Sequence, residues 1–200
     1  MVGPLTARGL VLPPLVLRDG ELTLRPWSVD DAPALAAAVA DSVEHLRPWM
    51  EWIAAEPQTV AQRRRWIAQC ERDRAAGGAL VLGAFAGAGA GVAGGCGLHQ
   101  RLGSGGLEIG YWIHPGFLRR GLATAASRLL TSAAFRLPGI SFVEIHHDKA
   151  NVASGGVPRK LGFELVGETP EPPTAPGEMG IECRWRIERD VWLRQHPSEA

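Results

Sequence analysis

The segment from Glu108 to Leu130, with the sequence EIGYWIHPGFLRRGLATAASRLL, constrains the fold of this chain more than any other. Its first residues have the pattern of a β-strand, Pro115 and Gly116 turn the chain, and an alanine-rich stretch of helical pattern follows. A strand that leads into a helix through a short turn is a building unit of α/β proteins, because the helix can pack back on the sheet. The sequence therefore predicts an α/β fold.

Arg119, Arg120 and Gly121 stand directly before this predicted helix. The N-terminus of a helix presents unpaired amides and the positive end of the helix dipole, which favours a phosphate group. Glycine lets the backbone approach an anion closely, and the two arginines add positive charge. The same residues also fit an ordinary strand–helix turn with surface arginines, and the segment alone does not separate these two interpretations.

The remaining segments give a consistent order of elements. A hairpin about Asp19 and Gly20 is followed by two helices and by three strands with glycine-rich turns between them. The helix after Gly121, a strand, a short helix and two more strands complete the order. This order predicts a mixed, mostly antiparallel twisted sheet flanked by about four helices. We expect a single domain over residues 21–194, preceded by a flexible segment over residues 1–20.

Composition excludes several classes of function. The 200 residues include 21 basic and 21 acidic side chains, and this balance argues against a nucleic-acid partner. No apolar run is long enough to span a membrane, and Pro13 and Pro14 interrupt the apolar stretch near the start. Cys70, Cys96 and Cys183 are far apart and lack the spacing of a metal site, which favours reduced thiols in a cytoplasmic protein.

The residues from Gly89 to Gly94, GAGVAG, match the G-x-G-x-x-G pattern of dinucleotide-binding loops. Such a loop requires a helix directly after the glycines. Here the sequence GCGLHQ continues as a strand, so we interpret the glycines as a hairpin turn.

A second motif, ANVASGGVPRKLGF from Ala150 to Phe163, follows the strand–turn–helix segment. The two motifs, in this order, closely resemble the GNAT N-acetyltransferases, and in particular their RimJ/RimL-type branch. LTLRPW from Leu22 and HLRPWMEW from His45 resemble the opening strand and the substrate-side connector of that branch. The resemblance extends to about Val191, and it implies acetyl-CoA as the acyl donor and no metal.

In this family, a loop of the form Gln/Arg-x-x-Gly-x-Gly/Ala binds the pyrophosphate of acetyl-CoA. Gly121 and Ala123 match the last two fixed positions, whereas Leu118 stands where the first has Gln or Arg. Because backbone amides make most of the contact, we expect this departure to weaken the side-chain fixing of the loop and to leave the site intact. The resemblance assigns the phosphate contacts to Arg119, Arg120, Gly121, Leu122, Ala123 and Thr124.

The same resemblance assigns the rest of the cofactor site. Backbone groups of Trp112 and Ile113 would pair with the pantetheine amides, and Asn151 would bind the pantetheine arm near the thioester. Many GNAT enzymes have a tyrosine that protonates the departing thiolate where this chain has Pro158. The RimJ/RimL-like pattern has a serine instead, which Ser154 matches. Ser154 is therefore a candidate acid, and it also fits a plain role as a hydroxyl at a helix start.

Acetyl transfer needs a base, because an alkylamine is largely protonated at neutral pH. By the resemblance, Glu108 matches a glutamate that serves as base in several GNAT enzymes. His146 lies where related enzymes have a carboxylate, and alternation puts it on the same sheet face as Glu144. A polar strand end and a core histidine are the alternatives for these two residues. His99 is a candidate for a water chain to the substrate, and Tyr111, the only tyrosine, is an alternative acid.

Trp49 and Trp52 stand in the connector that covers the acceptor groove in the family. They can shape a pocket or simply cover the sheet. Together with His99 and Tyr111 they are the predicted substrate-binding residues. Glutamates near the connector favour an amine acceptor, which the resemblance suggests is a protein or peptide N-terminus, with a small amine as the alternative.

A different class of function is also compatible with the sequence. A non-catalytic acyl-CoA-binding or regulatory domain would keep the fold and lack turnover, and Pro158 in place of the usual tyrosine supports it. Glu108, Asn151 and Ser154 together argue for an enzyme. The oligomeric state stays open, although the resemblance makes a homodimer a reasonable expectation.

Overall fold

The computed structural model describes residues 11–13, 15–87, 89 and 91–197. Its centre is an eight-stranded sheet with the spatial order β1-β2-β3-β4-β5-β6-β8-β7. The strands are β1 (Leu17–Asp19), β2 (Leu22–Pro26), β3 (Leu80–Ala86), β4 (Gly91–His99), β5 (Gly106–Ile113), β6 (Phe142–Asp148), β7 (Glu164–Pro170) and β8 (Ile181–Glu188).

Five α-helices pack on the sheet, and the predicted α/β fold with a mixed, mostly antiparallel sheet is confirmed. The sequence predicts about four helices around the sheet and also a short helix after the last strand; in the described part of the chain that short helix is the fifth, and its Trp192 is completely buried in the core. The helices are α1 (Ala32–Leu46), α2 (Val60–Ala75), α3 (Leu122–Phe135), α4 (Val152–Lys160) and α5 (Arg189–Gln195).

The pairing of β5 with β6 is the one parallel contact in this sheet, and it is short. It ends where Glu108 lies opposite Glu144. Beyond that point β5 continues along β4 to Ile113, whereas β6 continues along β8 to Asp148. The gap between residues 109–113 of β5 and residues 145–148 of β6 is called the wedge below.

The two faces of the sheet are covered by different helices. On one face, α3, α4 and α5 pack over an apolar core that includes Ile109 and Ile145. On the other face, α1 and α2 pack over β4 and β3 around a second apolar cluster that includes Trp27 and Phe85. These are called the α3 face and the α1 face below.

Some described residues of the segment 1–20, which the sequence predicts to be flexible, contact the rest of the chain. Leu12 is fully buried in the core, and its carbonyl oxygen accepts a hydrogen bond from Arg74 at 2.5 Å. β1 pairs with β2 in the predicted hairpin about Asp19 and Gly20. Leu12 and residues 17–19 are therefore packed or paired, residues 1–10 and 14 lie outside the described residues, and the flexibility of the segment stays a prediction. Within the described part of the chain, no helix is long and apolar enough to cross a membrane.

Candidate active site

A cavity of about 850 Å³ lies at the wedge. Because successive residues of a strand point to opposite faces, residues from both sides of the sheet reach it through the wedge. His99 and Trp112 line the cavity on the α1 face. Tyr111 and Ser154 line it on the α3 face, where α4 packs against β6. The split between β5 and β6 thus joins two surfaces that a continuous sheet would keep apart.

Glycines make the floor of the cavity on the α1 face. A Cβ atom at Gly95 would lie 2.6 Å from the indole nitrogen of Trp112. A Cβ at Gly97 or Gly110 would lie 3.4 or 3.3 Å from Nε2 of His99. The rings of Trp112 and His99 therefore lie over strand positions that have no side chain, and this leaves room for the cavity above the sheet.

Tryptophans make part of the opposite wall. Trp49 and Trp52 line the cavity, as do Met50 and Trp66. The ring of Trp52 meets that of Trp112 edge-on, with 6.2 Å between the ring centres. The structure therefore places both predicted tryptophans at the cavity, and their role in binding an acceptor stays a prediction.

Glu108 lies at the point where the wedge opens, and it is 7% exposed. The guanidinium of Arg101 binds it through two parallel hydrogen bonds of 2.7 and 2.6 Å, one to each carboxylate oxygen. Such a two-point ion pair fixes the orientation of the carboxylate. The predicted base is therefore present at the cavity with both oxygens engaged by Arg101, a residue that the sequence analysis did not identify.

His146 lies among carboxylates on the α1 face. Its Nε2 is 2.5 Å from Glu144 and its Nδ1 is 3.1 Å from Glu182, while Glu108 is 3.9 Å away. Glu144 in turn accepts a 2.6 Å hydrogen bond from Arg186. Both ring nitrogens of His146 therefore lie within hydrogen-bonding distance of carboxylate oxygens.

His99 differs from these two residues. It ends β4 opposite Glu108. Its imidazole lines the cavity and makes no hydrogen bond to any described residue. Burial lowers the pKa of its imidazole, the charge of Arg101 lowers it further, and the charge of Glu108 acts in the opposite direction. A neutral imidazole with an available nitrogen therefore faces the cavity.

Tyr111 and Ser154 meet on the α3 face. The phenol oxygen is 3.0 Å from the serine hydroxyl and 3.1 Å from the carbonyl oxygen of Ser154, and its one proton can be donated to either of them. Burial raises the pKa of Tyr111 to about 12, although the contact with Ser154 lowers it. Asn151 caps α4 by accepting a 3.1 Å hydrogen bond from the Ser154 N–H. The structure thus brings three predicted site residues to one edge of the cavity.

The loop before α3 has the backbone of an anion site. Gly121 caps α3 with a φ of 78° and provides no side-chain cap, so the first amides of the helix have no side-chain partner at the cap position. Arg119 has a φ of 62°, which is unusual for a residue with a side chain. Arg120 is exposed and pairs with Glu21 at 2.6 Å, and Leu118 is also exposed. The side chain of Leu122 is buried in the core, so of its groups only the backbone can meet a phosphate.

Trp112 is placed differently from the prediction. The N–H of His114 donates to Ala93 on β4, and a Cβ at Gly94 would collide with the carbonyl oxygen of Trp112. The backbone groups of Trp112 therefore point to β4, because alternate residues of a strand point to the same side. By the same alternation, the backbone of Tyr111 and Ile113 points to the wedge. Ile113 stays a candidate for strand-like pairing with a ligand, and Tyr111 takes the place of Trp112.

Other residues at the site were not identified from the sequence. Arg63 of α2 lines the cavity and is only 4% exposed. It forms an ion pair with Glu56, and its Nε has no hydrogen-bond partner among the described residues. Glu182 enters from β8. The glycines at alternate positions 95 and 97 were a visible signal of an open strand face, whereas Arg63 and Glu182 had no such signal.

These features agree with the architecture that the two sequence motifs imply, and the comparisons with known proteins identify the family. The family described as "Acetyltransferase (GNAT) domain" matches residues 21–164. The match covers well over half of the chain, and the chain therefore belongs to the GNAT acetyltransferase family.

Solved structures agree with this assignment. A probable acetyltransferase is 25% identical, with a TM-score of 0.80 over 89% of this chain and 99% of that one. RimL, a ribosomal L7/L12 alpha-N-protein acetyltransferase in complex with coenzyme A, is 20% identical, with a TM-score of 0.77 over 91% and 99%. The microcin C7 self immunity acetyltransferase MccE, in complex with acetyl-CoA and AMP, is 20% identical, with a TM-score of 0.77 over 92% and 98%. The last two similarities show a shared fold, and the RimJ/RimL-type branch stays a prediction.

Proposed function

We propose that this protein transfers the acetyl group of acetyl-CoA to a primary amine, with the α-amino group of a protein or peptide as the preferred acceptor. The observation that carries the proposal is the cavity at the wedge. It joins a hydrogen-bond donor pair on the α3 face to groups of the α1 face that can take a proton. Direct attack of an amine on a thioester needs both, on opposite sides of the reacting carbon.

The residues of this chain fit acetyl-CoA. Acetyl-CoA would supply the acetyl group as a reactive thioester. The amides at the start of α3 and the positive-φ residues Arg119 and Gly121 form a concave, positively polarised backbone suited to the pyrophosphate. Arg120, Leu122, Ala123 and Thr124 complete this predicted contact.

The pantetheine arm fits the wedge. The backbone groups of Tyr111 and Ile113 point into it and are free to pair with amides of an extended ligand. Asn151 stands beside the wedge at the cavity edge, where the thioester end would lie. This placement makes the open edge of β5 the surface along which the arm would extend.

Ser154 is proposed to donate a hydrogen bond to the departing sulfur. When the Tyr111 hydroxyl donates to the Ser154 oxygen, the serine proton is free to point into the cavity. Because the pKa of Tyr111 is raised, the phenol stays protonated at neutral pH and keeps this orientation available. Tyr111 therefore acts as a positioning residue for Ser154, which departs from the acid role considered for it from the sequence.

The α1 face is proposed to receive the amine. Carboxylates of Glu108 and Glu182 lie at the cavity there and favour a positively charged acceptor. Trp49 and Trp52 form an apolar wall beside them. RimL, which is named for acetylating the α-amino group of a ribosomal protein, has the same fold and supports an N-terminal amine. Three free cysteines, two of them buried, support a reducing cytoplasmic setting.

The test is an acceptor screen with the full-length protein. Thiol release from acetyl-CoA is measured with peptides of varied N-terminal residue, with polyamines and with small amines. We expect release that depends on a peptide with a free N-terminus, while the same peptide with an acetylated N-terminus serves as the matched control. Tight binding of acetyl-CoA without release on any acceptor would contradict the proposal and favour a non-catalytic acyl-CoA-binding domain.

A further inference from the structure

Glu108, His146 and His99 line the cavity on the α1 face and are candidates for the base, and their surroundings differ. Both oxygens of Glu108 accept hydrogen bonds from Arg101. Both nitrogens of His146 lie within hydrogen-bonding distance of carboxylates. Of the three side chains, only the imidazole of His99 has no hydrogen-bond partner among the described residues.

The ring of His99 lies over β5, next to the wedge. Its Nε2 lies over Gly110, at 3.3 Å from where a Cβ atom of that residue would be. Gly110 is the neighbour of Tyr111, whose hydroxyl meets Ser154 on the opposite face. The ring of His99 and the Ser154 hydroxyl therefore approach the wedge from its two sides.

We propose that His99 is the general base of this enzyme, and that Glu108, held by Arg101, is a positioning residue that stabilises the imidazolium. The inference rests on the proposed acetyl transfer, and it assigns a catalytic role to a residue that the sequence analysis considered only for a water chain and for substrate binding. Glu108 lies opposite His99 in the β4–β5 pair, so its negative charge is available when the ring takes a proton.

The proton and electron balance is simple. As the amine nitrogen forms its bond to the acetyl carbon, one N–H proton passes to the free ring nitrogen of His99. The C–S bond breaks, and its electron pair leaves on sulfur, to which the Ser154 hydroxyl donates a hydrogen bond. The imidazolium then returns its proton to water and the sulfur takes one from water, so that the products are an amide and a free thiol.

The charged surroundings of His99 define the expected pH dependence. Arg101, which follows β4, and Glu108 of β5 act on it directly. His146 of β6, and Arg63 and Cys70 of α2, line the same cavity. Because burial and Arg101 outweigh Glu108, the pKa of His99 lies below its ordinary value of 6.5 and the base is neutral at pH 7. At saturating acceptor, kcat should therefore fall as the pH falls through a value below 6.5.

The first test compares His99→Gln with His196→Gln, since His196 lies at the C-terminal end of α5 and does not line the cavity. We expect His99→Gln to lower kcat about 100-fold, to leave the affinity for acetyl-CoA unchanged, and to remove the fall of kcat at low pH. His196→Gln should keep the kcat and the pH profile of the unmodified protein. If His146→Gln removes the fall of kcat at low pH and His99→Gln keeps it, His146 is the base and the inference is overturned.

A second measurement does not depend on turnover. The ring signals of the histidines are followed by NMR during a pH titration, and the His99→Gln spectrum, or that of His99→Asn, assigns the His99 signal. We expect His99 to be neutral at pH 7, and Glu108→Gln to lower its pKa further. A charged His99 at pH 7 would overturn the inference even if acetyl transfer is shown. Failure to acetylate any acceptor, with a neutral His99, would instead contradict the proposed function.

Discussion

At the scale of single residues, the contact between Tyr111 and Ser154 decides which hydroxyl proton is available to the cavity. The phenol has one proton and two neighbouring oxygens of Ser154 that can accept it, at 3.0 and 3.1 Å. If the phenol donates to the serine hydroxyl, the serine proton can point into the cavity. If the phenol donates to the serine carbonyl, the serine hydroxyl donates to the phenol oxygen instead. The proposed reaction selects the first arrangement, since only that one leaves a donor for the departing sulfur.

Ser154→Ala and Tyr111→Phe should each lower kcat about tenfold to 100-fold and leave KM for acetyl-CoA nearly unchanged, because each removes a hydrogen bond that strengthens in the transition state. Steady-state kinetics with a peptide acceptor measure this. The double variant should be little worse than either single one, since the two hydroxyls act as one unit. The control is Ser141→Ala, which removes an exposed hydroxyl elsewhere. Fully additive losses would argue against a shared role.

Among the secondary-structure elements, α3 begins unlike α2 and α4. Thr59 caps α2 and Asn151 caps α4 with side-chain oxygens, whereas α3 begins at a glycine without a side-chain cap. Side-chain caps satisfy the free amides of a helix start. Their replacement by Gly121 leaves those amides available to an anion, in agreement with the predicted pyrophosphate loop.

Gly121→Val should weaken acetyl-CoA binding by more than tenfold, because valine is strained at a φ of 78° and would place a side chain in the open space before α3. Isothermal titration calorimetry measures the affinity. Gly139→Val is a matched control, since Gly139 has the same φ and nothing within 4 Å of an added Cβ. We expect the two variants to lose similar stability, and only Gly121→Val to lose affinity for acetyl-CoA. Equal affinities of the two variants for acetyl-CoA would contradict the assignment of the loop before α3 as the pyrophosphate site.

At the level of the whole molecule, the wedge connects the two faces of the sheet and the start of α3. A ligand that runs from the α3 loop along the open edge of β5 into the cavity would contact β5, α3 and α4 together. It would bind the native state alone and stabilise all of these elements by mass action.

Acetyl-CoA at about 100 times its dissociation constant should therefore raise the unfolding free energy by ~2.7 kcal/mol and Tm by ~5–10 °C. Differential scanning fluorimetry measures this shift. S-acetyl-N-acetylcysteamine, which has the thioester and lacks the pyrophosphate, should give a smaller shift at the same concentration. An unchanged Tm with millimolar acetyl-CoA would contradict acetyl-CoA as the ligand of this cavity.

The order of helices and strands was predictable because it depends on patterns within a few residues. The β1–β2 hairpin turn, the strand–turn–helix unit before α3 and the capping residue of α4 each lie within a short stretch of sequence. The alternation that puts Glu144 and His146 on one face is equally local, and the structure has both residues in contact. Membership of the GNAT family followed from two such local motifs.

The chemistry of the site depends on residues that are far apart in the chain. Tyr111 and Ser154 are 43 positions apart, and His146 and Glu182 are 36 apart. No local pattern shows that Arg101 forms an ion pair with Glu108, that carboxylates surround His146, or that the ring of His99 has no hydrogen-bond partner among the described residues. These facts follow from the register of β4, β5, β6 and β8 and from the place where β5 and β6 separate, and the pairs β5–β6 and β6–β8 join segments that are far apart in the chain.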